Sequence, residues 1–254
     1  MAKVIAIANQ KGGVGKTTTS INLSACIAMQ GKKVLLIDLD PQSNTTSGVG
    51  VKKNEIKQSI YEIIINGEDI ENTILDTQIE NLKICPADIK LAGAEVELVN
   101  FVYRESKLKN AIEKIKENFD YVIIDCPPSL GLLTLNAFTA SDSVIIPIQC
   151  EYYALEGLSQ FIKTIELVKK RLNISLYVEG VLLTMYSTRA NLCVQVAEEV
   201  RKYFGEKVYK SFIPRNIRLS EAPGFGMPII LYDAHSKGAK CYMNLASEVI
   251  ENNK

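Results

Sequence analysis

The stretch that decides the fold is "NQKGGVGKTTT", Asn9 to Thr19. It follows a short, β-branched apolar run, "KVIAIAN" (3–9), and opens a helical pattern that stops at Gly31. Glycines let a backbone curl until successive N–H groups face one centre. A helix starting near Thr17 adds the positive end of its dipole. Strand, glycine turn, Lys-Thr-Thr and helix in that order predict a phosphate-binding loop. Lys16 supplies a point charge for the β- and γ-phosphates, and the Thr17 hydroxyl is placed for Mg²⁺. Gly12, Gly13, Val14, Gly15 and Thr18 complete the cradle. The ordinary spacing G-x-x-x-x-G-K-[ST] needs glycine at position 10, where Gln10 stands, so the loop is a variant. It also holds a second lysine, Lys11, that a cradle of this kind does not need.

Working outward, four more apolar runs read as strands: "KVLLID" (33–38), "YVIIDC" (121–126), "SVIIPI" (143–148) and "YVEGVLLT" (177–184). They are continuously apolar rather than alternating, as strands buried on both faces of a parallel sheet are. Helical patterns separate them, at about 106–117, 154–172 (with Leu155, Leu158, Ile162, Ile165 and Val168 on one stripe), 191–204 and 237–251. This alternation predicts an α/β fold: one domain over 1–254, doubly wound, with a mostly parallel twisted sheet and helices on both faces. The region 44–102 is harder to read. It suggests short helices near 60–66 and 70–75, then a strand at "LKICPA". Three acids fall at strand ends: Asp38 and Asp40 in "LLIDLDPQ", and Asp125 in "VIIDCPPS". Open α/β sheets bind ligands at that end, and a carboxylate closing an apolar strand has the rigid support that Mg²⁺ coordination needs.

Composition narrows the function. Lys plus Arg equals Asp plus Glu at 29 each, so the whole body is not a basic polyanion binder; any nucleic-acid contact must be a local patch. The six cysteines form no C-x-x-C pair, which points to a reducing cytoplasm and away from a zinc or redox site. A single histidine, His235, leaves little room for histidine base chemistry. No apolar run reaches membrane-spanning length, and the N-terminus does not read as a secretory signal.

"KGGVGKTTT", "DLDPQ" and "DCPPSLGLLTLNA" together resemble the P-loop NTPases of the deviant Walker A type, the ParA/MinD superfamily. "IPIQCEYYALEGLSQ", "GVLLTMYSTRANL" and "IPRNIRLSEAPGFGMPIILYD" are similar to its chromosomal ParA branch, often called Soj. The resemblance implies an ATPase using ATP and Mg²⁺ that forms a sandwich homodimer for chromosome partitioning. In such a dimer Lys11 reaches the partner's phosphates, Asp40 positions the attacking water, and Asp38 and Asp125 join Thr17 around Mg²⁺. Pro214 and Asn216 match the adenine-contacting loop. Arg189 and Arg218 match positions that meet non-specific double-stranded DNA of the nucleoid, and a ParB-type protein would stimulate hydrolysis. The scattered lysines (163, 169, 170, 202, 207 and 210) read as a solvated face. A MinD-like membrane switch needs a basic amphipathic tail, and "YMNLASEVIENNK" is not one. A nitrogenase-type reductase would need glycine-flanked cysteines, which Cys126 lacks. A ligase or amidase of this fold would need an acceptor site for which no residues stand out.

Overall fold

Successive residues of a strand face opposite sides of a sheet, and here both sides are apolar. Val4 and Ala6 enter one core while Ile5 and Ile7 enter the other; Leu35 and Ile37 part from Val34 and Leu36 in the same way. The computed structural model describes residues 1–151 and 154–254, with the backbone alone for 154–156. In chain order the elements are β1 (Lys3–Ile7), α1 (Lys16–Met29), β2 (Val34–Asp38), α2 (Asn44–Gly48), β3 (Leu75–Asp76) and β4 (Leu82–Cys85). Then come α3 (Leu91–Leu98), α4 (Lys107–Glu113), β5 (Tyr121–Asp125), α5 (Leu132–Ala140), β6 (Ser143–Gln149) and α6 (Ala154–Arg171). The chain closes with β7 (Tyr177–Tyr186), α7 (Asn191–Phe204), β8 (Ile213–Pro214), α8 (Ile217–Glu221), α9 (Ile229–Tyr232) and α10 (Lys237–Asn252).

The strands form one eight-stranded sheet in the order β3-β4-β2-β5-β1-β6-β7-β8. All pairings are parallel except β3 with β4. Helices α1 and α10 cover one face, burying Ile21, Leu23, Ile27, Tyr242, Leu245 and Val249. Helices α4, α5, α6 and α7 cover the other, through Leu108, Phe138, Phe161, Ile165, Val196 and others. Strands β5, β2 and β4 lie to one side of β1, and β6, β7 and β8 to the other. The C-terminal end of β1 is therefore where the two windings diverge, the usual ligand crevice of such sheets.

The doubly wound fold and its five long strands match the sequence reading. The differences lie where patterning is weak. The segment 106–117 is helical only to Glu113 and then tightens into a 3₁₀ turn at Lys116–Asn118. The region near 60–66 contains a single π-helical turn, Glu62–Asn66. Helices α3 and α5 were not anticipated. The first exposes Val96 on its outer side, and the second is buried almost all round, so neither shows a clean stripe. Leu155 of the expected α6 stripe lies outside the described side chains; Leu158, Ile165 and Val168 are buried as expected.

The end of α5 is satisfied from a distance. Asn173 Nδ2 lies 2.9 Å from the Phe138 carbonyl and 2.7 Å from that of Ser141, and it donates to them. Helix-end carbonyls have no partner within their helix. Asn173→Ala is expected to leave buried acceptors unpaired and to cost about 1–3 kcal/mol, seen as a lower urea midpoint. Asn173→Asp, which lacks the amide donor, should not restore it.

Candidate functional site

The loop from Ala8 to Gly15 leaves β1 and is pinned at its base. Asn9 Nδ2 donates to the Pro147 carbonyl at 2.8 Å, and its Oδ1 accepts from Lys11 N–H at 3.0 Å. Gly13 and Gly15 have φ of +75° and +88°, the left-handed region that suits glycine. Among the described residues, none of the seven backbone N–H groups from Gly12 to Thr18 has a hydrogen-bond partner. Seven donors in succession, the last at a helix start, make a nest for an anion of several oxygens. Lys16 spans the loop, with Nζ 3.2 Å from the Lys11 carbonyl. It is buried, and burial pulls its ammonium below the usual lysine value against the opposing pull of Asp125.

Lys11 does the opposite. Its side chain leaves its own loop and pairs with Glu151, Nζ to Oε2 at 2.9 Å. The two side chains are 41% and 45% exposed, and an ion pair in water is worth little, about 0–1 kcal/mol. The contact can therefore be exchanged cheaply for a stronger anion. Gln149 Nε2 holds the other Glu151 oxygen at 2.5 Å.

Asp38 and Asp125 are register partners on β2 and β5, both with no exposed surface. Asp125 Oδ2 accepts from Thr17 Oγ1 at 2.9 Å and Thr45 Oγ1 at 2.6 Å, and its Oδ1 from Ser20 Oγ at 2.9 Å. Asp38 Oδ2 accepts from the Thr46 N–H at 2.8 Å and hydroxyl at 2.6 Å; its Oδ1 accepts from Asp40 N–H. Burial raises the Asp38 carboxyl to about 7, helped by the charge of Asp125. Burial likewise raises Asp125 to about 6, against the hydroxyl bonds that favour its charge. Asp40 is half-buried just beyond and accepts from Gln42 N–H at 2.9 Å. Thr45, Thr46 and Ser20 escaped the sequence reading. The signal was present: "SNTTSG" is a hydroxyl run directly after "DLDPQ", and Ser20 lies one helical turn beyond Lys16.

The oxygens of Thr17, Asp125 and Asp38 suit a hard cation. Among the described residues no three His, Cys, Asp or Glu side chains converge as a cage. That fits Mg²⁺, which keeps water and phosphate ligands and takes only one or two carboxylates.

Beside the loop lies a cavity of about 530 Å³. Gly15, Thr18, Pro214, Asn216, Ile217 and Tyr242 are among its lining residues, so the structure brings Pro214 and Asn216 to the nucleotide loop. Asn216 caps α8 by accepting from Arg218 N–H at 2.9 Å, and its Nδ2 has no partner among the described residues. The two arginines differ. Arg189 is exposed, and its guanidinium has no ion pair among the described residues. Arg218 is held by Glu221 at 3.0 Å and Asp233 at 3.6 Å.

A donor nest, a buried loop lysine, hydroxyl-bound acids and a neighbouring cavity define a nucleotide-binding P-loop protein. The AAA domain family model matches residues 2–178. The sporulation initiation inhibitor protein Soj of Bacillus subtilis is 62% identical over 252 residues, covering 99% of this chain and all of that protein. The chromosome partitioning protein ParA of Myxococcus xanthus is 54% identical, covering 99% of this chain and 89% of that one. Among solved structures, a Mycobacterium smegmatis protein described as cobyrinic acid a,c-diamide synthase, with bound ATP analogue and magnesium, superposes with a TM-score of 0.86. It is 38% identical over 99% of this chain and 95% of its own. The chain belongs to the Soj/ParA family of partitioning ATPases in the ParA/MinD superfamily. It is an ATPase, and its cofactors are ATP and Mg²⁺.

The raised carboxyls set a pH dependence. Their folded pKa values exceed the unfolded ones, so their contribution to stability is fully present below about pH 4 and is lost as pH rises through 6 to 7. A cation bound at these oxygens must displace the protons. Calorimetry at pH 6 in buffers of different ionisation enthalpy is expected to show proton release on Mg-ATP binding, fading by pH 8.

Proposed function

We propose that this protein is an ATP-gated dimerisation switch for chromosome partitioning. The observation that carries the reading is the opposite disposition of the two loop lysines. Lys16 is folded into its own cradle, while Lys11 stands outside it with an exposed ammonium. A cation that does not serve its own loop is available to a second copy facing it. There it would add positive charge where charge spreads over the transferring phosphoryl group, as a finger supplied in trans does.

The remaining roles follow from position. The backbone from Gly12 to Thr18 holds the phosphates, and Pro214 and Asn216 flank the adenine. Thr17 and Asp125 would hold Mg²⁺, which would supply positive charge against the phosphates. Asp38, in register beside Asp125, would support the Mg²⁺ water shell and ties α2 to the site through Thr46. Asp40, at the rim, orients the attacking water; positioning rather than strong basicity is its contribution. The whole of 1–254 works as one domain, consistent with its single sheet.

The dimer then binds the nucleoid through non-specific DNA contacts, and a ParB-type partner stimulates hydrolysis and release. The uncommitted guanidinium of Arg189 supports DNA contact there. Arg218 contributes only once it leaves its two carboxylates. Non-specific binding by one small patch is weak, on the order of 10⁻⁴–10⁻⁶ M, and pairing two patches in a dimer raises it. A MinD-like membrane role fits less well. Helix α10 buries Tyr242, Leu245 and Val249, and Glu248 accepts from Lys210 and Ser211 N–H, so this helix is bound into the fold. Among the described residues no helix is long and apolar enough to cross a membrane. The diamide synthase shares the ATP-site fold at lower identity than the partitioning proteins. The reading places the protein in the cytoplasm.

Lys11→Ala is expected to bind Mg-ATP yet remain monomeric in size-exclusion chromatography with light scattering. A dimer of normal stability would remove the trans role. Arg189→Glu should dimerise with ATP but lose DNA retention, measured by fluorescence anisotropy at several salt concentrations. Undiminished DNA binding would place the patch elsewhere.

A further inference from the structure

One buried hydroxyl beside the phosphate loop has none of the roles above. Thr184, at the end of β7, is 2% exposed, and its Oγ1 donates to the Val14 carbonyl at 2.8 Å. The bond joins positions 170 residues apart. The Val14–Gly15 peptide is planar and trans, so its C=O and N–H point in opposite directions. A carbonyl turned to Thr184 turns the Gly15 N–H the other way. That N–H is one of the seven loop donors without a partner among the described residues.

This peptide is prone to turn over. It runs into Gly15, which lacks a Cβ and populates both signs of φ readily. Turned over, it would present a carbonyl oxygen to the phosphates in place of a donor. The Thr184 hydroxyl opposes that state, because it would lose its acceptor in a buried place. The end of β7 is irregular beside this contact. Its pairing with β8 slips between Thr184 and Tyr186, and Met185 takes φ +50° at the slip. Strain of that kind persists where the surroundings hold it.

We propose that Thr184 is a positioning residue for the nucleotide phosphates, fixing the Val14–Gly15 peptide with its N–H towards them. The proposal rests on the assignment of this loop as the ATP site. Thr184→Val keeps the shape and removes the donor, while Thr184→Ser keeps the donor. Titration with Mg-ATP and Mg-ADP should show Thr184→Val about ten-fold weaker for both, with Thr184→Ser close to wild type. In wild type, the Gly15 amide proton should move downfield when Mg-ADP binds, and it should move less in Thr184→Val. Wild-type affinity in Thr184→Val would overturn the proposal, as would equal weakness in Thr184→Ser, which would mean packing rather than the hydroxyl. If the valine variant does not fold, the serine variant and the wild-type Gly15 amide decide: a weak serine variant, or an amide indifferent to Mg-ADP, overturns it. Failure of the wild type to bind Mg-ATP would instead overturn the site assignment, and the proposal with it.

Discussion

Two carboxylates that water does not reach, Asp38 and Asp125, stand in register on neighbouring strands, and much of the upper face is arranged to make them tolerable. An isolated buried charge is too costly to keep. Each acid is instead surrounded by short donors: Thr17 and Ser20 from α1, Thr45 and Thr46 from α2. Helix α2 is only five residues long and has no side-chain cap. Its two threonines anchor it to the acids, and the Thr46 hydroxyl also accepts from Ala87 N–H at 3.0 Å. The two acids, α2 and the segment after β4 are thus joined in one hydrogen-bond network.

How much of this could be read from residues alone depended on the kind of force involved. The parallel core was legible because continuous Val/Ile/Leu runs have few other uses in a chain of this size. The phosphate loop was legible because glycine, lysine and threonine at that spacing serve one chemistry. Helix α5 was hidden because an element buried almost all round carries no stripe. The hydroxyl shell was hidden for another reason: serine and threonine in a polar run look like loop residues until the fold sets a carboxylate opposite them. The partner of Lys11 was equally beyond reach. Glu151 lies 140 positions from Lys11, and nothing local links them.

Three cations at this end of the sheet are held in different degrees of readiness. Lys11 has a single exposed acid, in water, where the attraction is weak. Arg218 has two acids and a fixed place in the first turn of α8. Arg189 has none among the described residues. Formal neutrality over the whole chain thus conceals a graded set of cations along one end of the sheet.

The sheet also ends in a particular way. Its outer strands, β3 and β8, are two residues each, one antiparallel to its neighbour and the other closing in Pro214, which has no N–H to offer. Such margins give an incoming strand almost nothing to zip onto. The long apolar strands are thereby kept to the middle of the sheet, away from its open margins. In the proposed dimer, contact would therefore fall to loops and helices at the C-terminal end of the strands, beside the nucleotide loop, rather than to strand edges.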